Sequence, residues 1–205
     1  MTKKIVSVLL AATAFAAAPA AAQTATQSTS GTVNVTGFVA ARCSVVQPGG
    51  SNVQTFAGTI DLQRLDAADG TLRGDLSTSG TAAPADGLKV NTRVVCTSAN
   101  PTVGISATKL NTGGASDPGA GYSNDIDYTA QVKVKTAGGS VEKVEYATKA
   151  GGTAVTRALG QRLAGGADNN VEVSIYGLAS EAGATSLLAQ GTYTSTVTVS
   201  IEPTL

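Results

Sequence analysis

The chain has 205 residues with 14 basic and 14 acidic side chains and no histidine. The balanced charge gives no reason to expect nucleic acid or an anionic membrane surface as partner, and the missing histidine removes Ser-His-Asp and Cys-His catalysis and the usual zinc ligand sets. Gly, Ala, Thr, Ser and Val dominate, Trp is absent, and only 14% of residues are charged, which favours short strands joined by small-residue turns over helices or disorder.

The first segment, residues 1–22, reads as a secretory signal. Lys3 and Lys4 supply the positive start, residues 5–18 the apolar run, and Ala20, Ala21 and Ala22 a small-residue cleavage site. No later stretch approaches the roughly 18 apolar residues of a membrane helix. The expectation is an exported chain of about −2 net charge, starting near Gln23, without direct membrane insertion.

Residues 23–30 are polar and small, as in a flexible leader. Val33, Val35, Gly37 and Val39 then fall on one face at period two, the mark of a strand with a thin apolar edge. At a free N-terminus such a strand can leave its own domain and pair with another copy; it can also be the first strand of a self-complete sandwich. Residues 23–39 are accordingly set apart as an N-terminal extension, ahead of a single domain over 40–205.

Cys43 and Cys96 are the only cysteines. In an exported chain an even pair reads as one disulfide, the alternative being two separate buried thiols. Further strands are expected at 53–62, 88–96, 102–107, 128–135, 141–147, 171–178 and 192–202, with loops at 66–87, 111–124 and 149–170 and a short helix at 157–163. In the last strand Tyr193, Val197, Val199 and Ile201 share one face and Thr194, Thr196, Thr198 and Ser200 the other. A helix would scatter these β-branched residues around its circumference. The expected class is all-β, one antiparallel β-sandwich.

Four pieces in this order resemble the archaic (Csu-type) chaperone–usher pilins, the family that carries the spore coat protein U domain. They are Ser30-Gly31-Thr32-Val33-Asn34-Val35 followed by Cys43, then Val90-Asn91-Thr92-Arg93-Val94-Val95-Cys96, then Val173-Ser174-Ile175-Tyr176-Gly177, and the closing Gly191-Thr192-Tyr193 strand running to Ile201. The chain departs from the family in its Glu202-Pro203-Thr204-Leu205 ending and in its longer middle loops.

The resemblance implies an immunoglobulin-like antiparallel β-sandwich lacking its final strand, completed by a donor strand from another subunit. An open edge of that kind is an aggregation hazard. The implied partners are therefore a periplasmic chaperone that covers the edge first, an outer-membrane usher, and neighbouring pilin subunits. The implied destination is a fibre on the cell surface used in attachment or biofilm formation. Val33, Val35, Gly37 and Val39 become the donor residues, and Val197, Val199 and Ile201 part of the acceptor groove. The competing reading is a self-complete secreted binding module for carbohydrate or a surface protein, acting as a monomer.

Other chemistry is thin. Ser106-Ala107-Thr108-Lys109 matches a Ser-x-x-Lys pattern but without its partner motifs or a helix start. The stretch from Asp117 through Asn124 and Asp125 to Asp127 is oxygen-rich but has no EF-hand spacing. Asp168, Asn169 and Asn170 read as a turn, and Asn34-Val35-Thr36 as strand polarity that also fits a glycosylation pattern. Tyr122, Tyr128, Tyr146, Tyr176 and Tyr193 read as packing residues more than as a sugar platform. No acid/base pair or nucleophile stands out, so neither an enzyme nor a cofactor is expected.

Overall fold

A computed structural model describes residues 30–77, 88–114 and 120–204. The signal sequence at 1–22, the leader up to 29, most of the loop at 78–87 and Asp117 lie outside the described residues. The chain divides into two units, Met1–Gly37 and Phe38–Leu205. In the first, residues 30–37 carry no regular secondary structure and every one of them is exposed.

The second unit is nearly all β. Its strands are β1 (Cys43–Val46), β2 (Asn52–Val53), β3 (Lys89–Cys96), β4 (Thr102–Ala107), β5 (Leu110–Asn111), β6 (Tyr122–Ser123), β7 (Asp125–Lys135), β8 (Val141–Ala147), β9 (Val155–Ala158), β10 (Val171–Ser180), β11 (Leu187–Leu188) and β12 (Val197–Glu202), with one helical turn, α1 (Gly74–Ser77). A seven-stranded antiparallel sheet runs β2-β1-β3-β10-β7-β5, with β8 also on β7; a three-stranded antiparallel sheet runs β12-β4-β9. The short pair β11-β6 is parallel.

The core lies between the large and the three-stranded sheets. Alternation puts Ile126, Tyr128, Ala130, Val132 and Val134 of β7 on its inner face, beside Val171, Val173 and Ile175 of β10. Val103 and Ile105 of β4 are also fully buried. Each such aliphatic side chain contributes about 1.5–3 kcal/mol by burial. The β10–β7 register shifts between Tyr176 and Ala179, where Gly177 takes a φ of +64°. A β-bulge there needs a residue free of the Cβ clash, which accounts for the glycine after Tyr176.

Two expectations need correction. Residues 157–163 form no helix: Arg157 and Ala158 end β9, Gly160 has a φ of +71°, and the Leu159 N–H donates to the Pro101 carbonyl. Leu159 and Leu163 are buried because this stretch packs as an edge strand and turn, with Leu163 bridging to Thr136. The strand expected at 53–62 pairs only at its start: Val53 lies opposite Val45, and beyond it the chain diverges from Ser44 and Cys43, which continue β1. Likewise the last strand begins its ladder at Val197, preceded by an isolated bridge from Thr194 to Asn111.

The Asp168–Asn170 turn does more than turn. The buried Asn170 side chain accepts from the Val94 N–H (2.8 Å) and donates to the Val94 carbonyl (2.7 Å) and the Ala164 carbonyl (2.8 Å). It stands in for the backbone of one more β10 residue on the edge of β3. Truncating it to Ala strands those buried groups, at about 1–3 kcal/mol each for the unsatisfied ones. Urea unfolding of Asn170→Ala is expected to show a loss of about 2–4 kcal/mol with an unchanged denaturant slope.

Candidate functional site

Cys43 and Cys96 form a disulfide across a directly opposed pair of β1 and β3, with Cα atoms 4.1 Å apart. The Thr97 N–H donates to the Arg42 carbonyl one step along, so the cysteines occupy a non-hydrogen-bonded position, where opposite residues come closest. The bridge fixes β1 at the margin of a large open feature of this unit.

That feature is a groove of about 1390 Å³. Its floor is aliphatic, from Val45 of β1, Val90 and Val94 of β3, Leu110 of β5, and Val173 and Ile175 of β10. One wall is β12 with the residues leading into it from Leu188, and the other is the chain from 54 to 66. Charged side chains line it only at Asp61, Arg64, Asp66 and Glu202. Uncharged polar side chains such as Gln54, Thr59, Gln190 and Ser195 also line it, so its apolar character is concentrated at the floor and on the inward face of β12.

The direction of the last strand's faces is now set. Tyr193, Val197, Val199 and Ile201 pack against the core cluster while remaining only half-buried. Val199 sits opposite Ile105 and Ile201 opposite Val103, both fully buried on β4. The backbone carries a second message. Thr196 directs both of its groups towards β4, its carbonyl accepting from the Thr108 N–H (3.0 Å) and its N–H donating to Thr108 Oγ1 (3.0 Å). Hydrogen-bonding direction alternates along a strand, so Thr198, Ser200 and Glu202 also face β4. Val197, Val199 and Ile201 then turn their N–H and C=O groups to the other side, where no backbone group among the described residues meets them.

The ends of this wall are held firmly. Tyr193 Oη donates towards the carbonyls of Ser123 (2.9 Å) and Ala189 (3.1 Å), and its burial raises the phenol above its usual range. Tyr128 Oη shares a 2.7 Å hydrogen bond with Ser195 Oγ, and burial likewise raises that phenol. Beyond β12, the Thr204 N–H donates to Ser98 Oγ (3.2 Å). The wall is a fixed strand with one open edge.

The four donor residues of the sequence reading are exposed and carry no regular secondary structure. Val33 is 86% exposed, Val35 91% and Val39 79%, and Phe38, which the alternation assigns to the opposite face, is 93% exposed. Gly37 has open space around its Cα. The alternation pointed to Val197, Val199 and Ile201, but not to the floor residues or to Phe56, Ile60 and Leu62, whose roles depend on long-range topology.

The remaining polar candidates are structural in setting. Lys109 Nζ donates to Glu181 (2.7 Å), a bond that raises its pKa, and lies 3.9 Å from Asp127. Asp127 accepts from Thr148 Oγ1 (2.9 Å). Asp125 accepts from the Asn111 amide, and Asn124 donates to the Gly114 carbonyl. Asp125 and Asp127 thus belong to β7 and not to a loop, and no group of three potential metal-ligating side chains converges among the described residues. Tyr128 and Tyr146 are buried, and Tyr122 is the exposed tyrosine of the five.

This site defines a disulfide-linked, antiparallel all-β domain with an apolar groove beside an unpaired strand edge. No family model, curated protein or solved structure matches the chain.

Proposed function

We propose that the chain is an exported structural subunit that polymerises by strand donation: residues 31–39 of one copy fill the groove of the next and complete an immunoglobulin-like sandwich that lacks its final strand. The observation that carries this reading is the last strand, whose open backbone groups and apolar side chains belong to the same three residues, Val197, Val199 and Ile201. Ordinary edge strands are guarded by charge, proline or a bulge. This one reads Val197-Thr198-Val199-Ser200-Ile201, with no charge before Glu202 and no proline before Pro203.

Length is compatible with the same occupant: the groove wall runs from Thr192 to Glu202, and residues 31–39 form an extended segment of nine residues. Val33, Val35 and Val39 would each contribute about 1.5–2 kcal/mol on burial, added to a ladder of main-chain hydrogen bonds in a protected groove. Gly37 suits a shallow point or a close backbone approach. The signal sequence is read from residues 1–22, while the chaperone and usher partners and the attachment role come with the family resemblance; a groove of this kind explains why a chaperone would be needed before assembly.

The test is the exported protein with and without residues 23–39, run unheated on a denaturing gel and by size exclusion. A ladder of detergent-resistant multimers from the full chain only is the expected result. Well-folded monomers from both forms would refute strand donation and favour a self-complete binding module.

A further inference from the structure

The large sheet carries a second, smaller cleft of about 270 Å³ on the face turned away from the groove. Asn91 of β3, Glu172 of β10 and Lys133 of β7 stand directly opposite one another across three neighbouring strands. Val90, Val173 and Val132 form the adjacent row on the inner face, so alternation puts the polar row on the outside. Lys133 Nζ donates to Glu172 Oε1 (3.0 Å), which makes this row an ion pair beside a free amide. Lys135, Val141 and Asn169 complete the cleft.

Three of these side chains have hydrogen-bonding capacity to spare. Lys135 Nζ and the carboxamides of Asn91 and Asn169 have no hydrogen-bond or ion-pair partner among the described residues. Their backbone is nevertheless fixed. The Lys135 N–H donates to the Asn170 carbonyl (2.8 Å) and the Asn170 N–H to the Thr92 carbonyl (3.2 Å), next to the Asn170 side-chain bonds to β3. Val141, opposite Lys135 at the start of β8, is 48% exposed and gives the cleft one apolar side. The lining thus combines an unpaired ammonium, a preformed ion pair, two open carboxamides and a pair of methyls.

We propose that this cleft binds a sugar ring bearing a carboxylate, such as one uronic acid unit of a polysaccharide. Lys135 Nζ pairs with the carboxylate. Asn91 and Asn169 exchange hydrogen bonds with ring hydroxyls, since a carboxamide, like a hydroxyl, both donates and accepts. Glu172, steadied by Lys133, accepts from a further hydroxyl, and Val141 packs on a C–H face of the ring. Two ammoniums against one carboxylate balance a monoanion, whereas a phosphate dianion is repelled by Glu172. The volume suits one ring, because drug-sized ligands take about 300–1,000 Å³. The cleft lies on the other face of the sheet from the groove and does not depend on strand donation. In a polymer each copy would add one such site, and weak single contacts would sum to avidity.

The test is a saturation-transfer NMR titration of the folded full chain with sodium galacturonate as the probe, and methyl galactoside and inorganic phosphate as comparators. Transfer to the galacturonate ring protons is expected. Lys135→Ala should weaken binding about tenfold or more, because a hydrogen bond between charged groups is among the stronger ones, and Asn91→Ala about threefold. Both side chains contribute to the cleft from fixed strands, and each variant is checked for its Cys43–Cys96 bridge. Lys149→Ala, which removes an exposed lysine outside the cleft, should change nothing. Methyl galactoside, with the same ring and no carboxylate, should bind about tenfold more weakly, and phosphate at equal concentration should not displace galacturonate. Equal binding of methyl galactoside, displacement by phosphate, undiminished binding in Lys135→Ala, or no transfer at all each overturns the proposal.

Discussion

Val199→Asp is expected to abolish polymerisation while leaving a folded, disulfide-linked domain. Val199 is the middle of the three residues that combine an inward side chain with an outward backbone. In the free subunit Val199 still reaches solvent along the open groove, so a carboxylate there stays partly hydrated, and the fold loses the partial burial of the valine, about 1–2 kcal/mol. Under a docked apolar strand the same carboxylate is dehydrated without a partner, at a cost of several kcal/mol. A loss of about 4 kcal/mol is about a thousandfold in capture.

The donor-side counterpart, Val35→Asp, should fail equally for the same reason. Mixing the two is the sharper experiment, because Val199→Asp still donates and Val35→Asp still accepts. The mixture is expected to give dimers and nothing longer on size exclusion and on an unheated gel. Long multimers from Val199→Asp alone would remove β12 from the groove's function.

The second large effect concerns the Cys43–Cys96 bridge, which spans 53 residues of sequence. In the chain-entropy model a loop of that size is worth about 4 kcal/mol, through restriction of the unfolded chain. For a domain of this length that is about 8–16 °C in Tm. Cys43→Ser with Cys96→Ser should show this shift in a thermal melt monitored by circular dichroism. A shift under about 3 °C would mean that the β1–β3 ladder holds this margin without covalent help. The loss should also reach capture of a synthetic peptide of residues 31–39, because β1 supplies Val45 to the groove floor and anchors β2 through Val53.

Strands with clean alternation could be read from the sequence nearly to the residue: 102–107 and 141–147 match β4 and β8, because one buried face imposes period two. Residues 157–163 misled because Leu159 and Leu163 sit at helical spacing; they are buried for unrelated reasons, by a turn and a bridge to Thr136. The 53–62 strand was visible as a pattern, but whether a pleated segment keeps a neighbour depends on how far it stays beside β1, and it leaves that strand after Val53. The groove was legible in part. Alternation grouped Val197, Val199 and Ile201, while the inward direction of that face came only from the pairing with Val103 and Ile105. Asn170 looked like any turn residue, since nothing local signals that its amide will complete a distant ladder. Gly58, on the groove wall, carried no signal at all, because what leaves no room for a Cβ there is the Val90 side chain thirty-two positions away.

One contact at the far edge of the small sheet bears on the shape of any assembly. Arg157, on the four-residue edge strand β9, pairs with Glu142 (2.8 Å) and donates to the Lys143 carbonyl (3.1 Å) on β8. A guanidinium lodged there blocks the one exposed β8 acceptor it covers and puts charge on both neighbouring edges. On the strand-donation proposal this margin adds no third joining site, leaving one plug and one socket of unlike kind. Head-to-tail joining of unlike ends does not close on itself unless the rotation per step happens to form a ring. On that proposal growth would be linear and polar, without branch points, and fibre length would follow the supply of subunits.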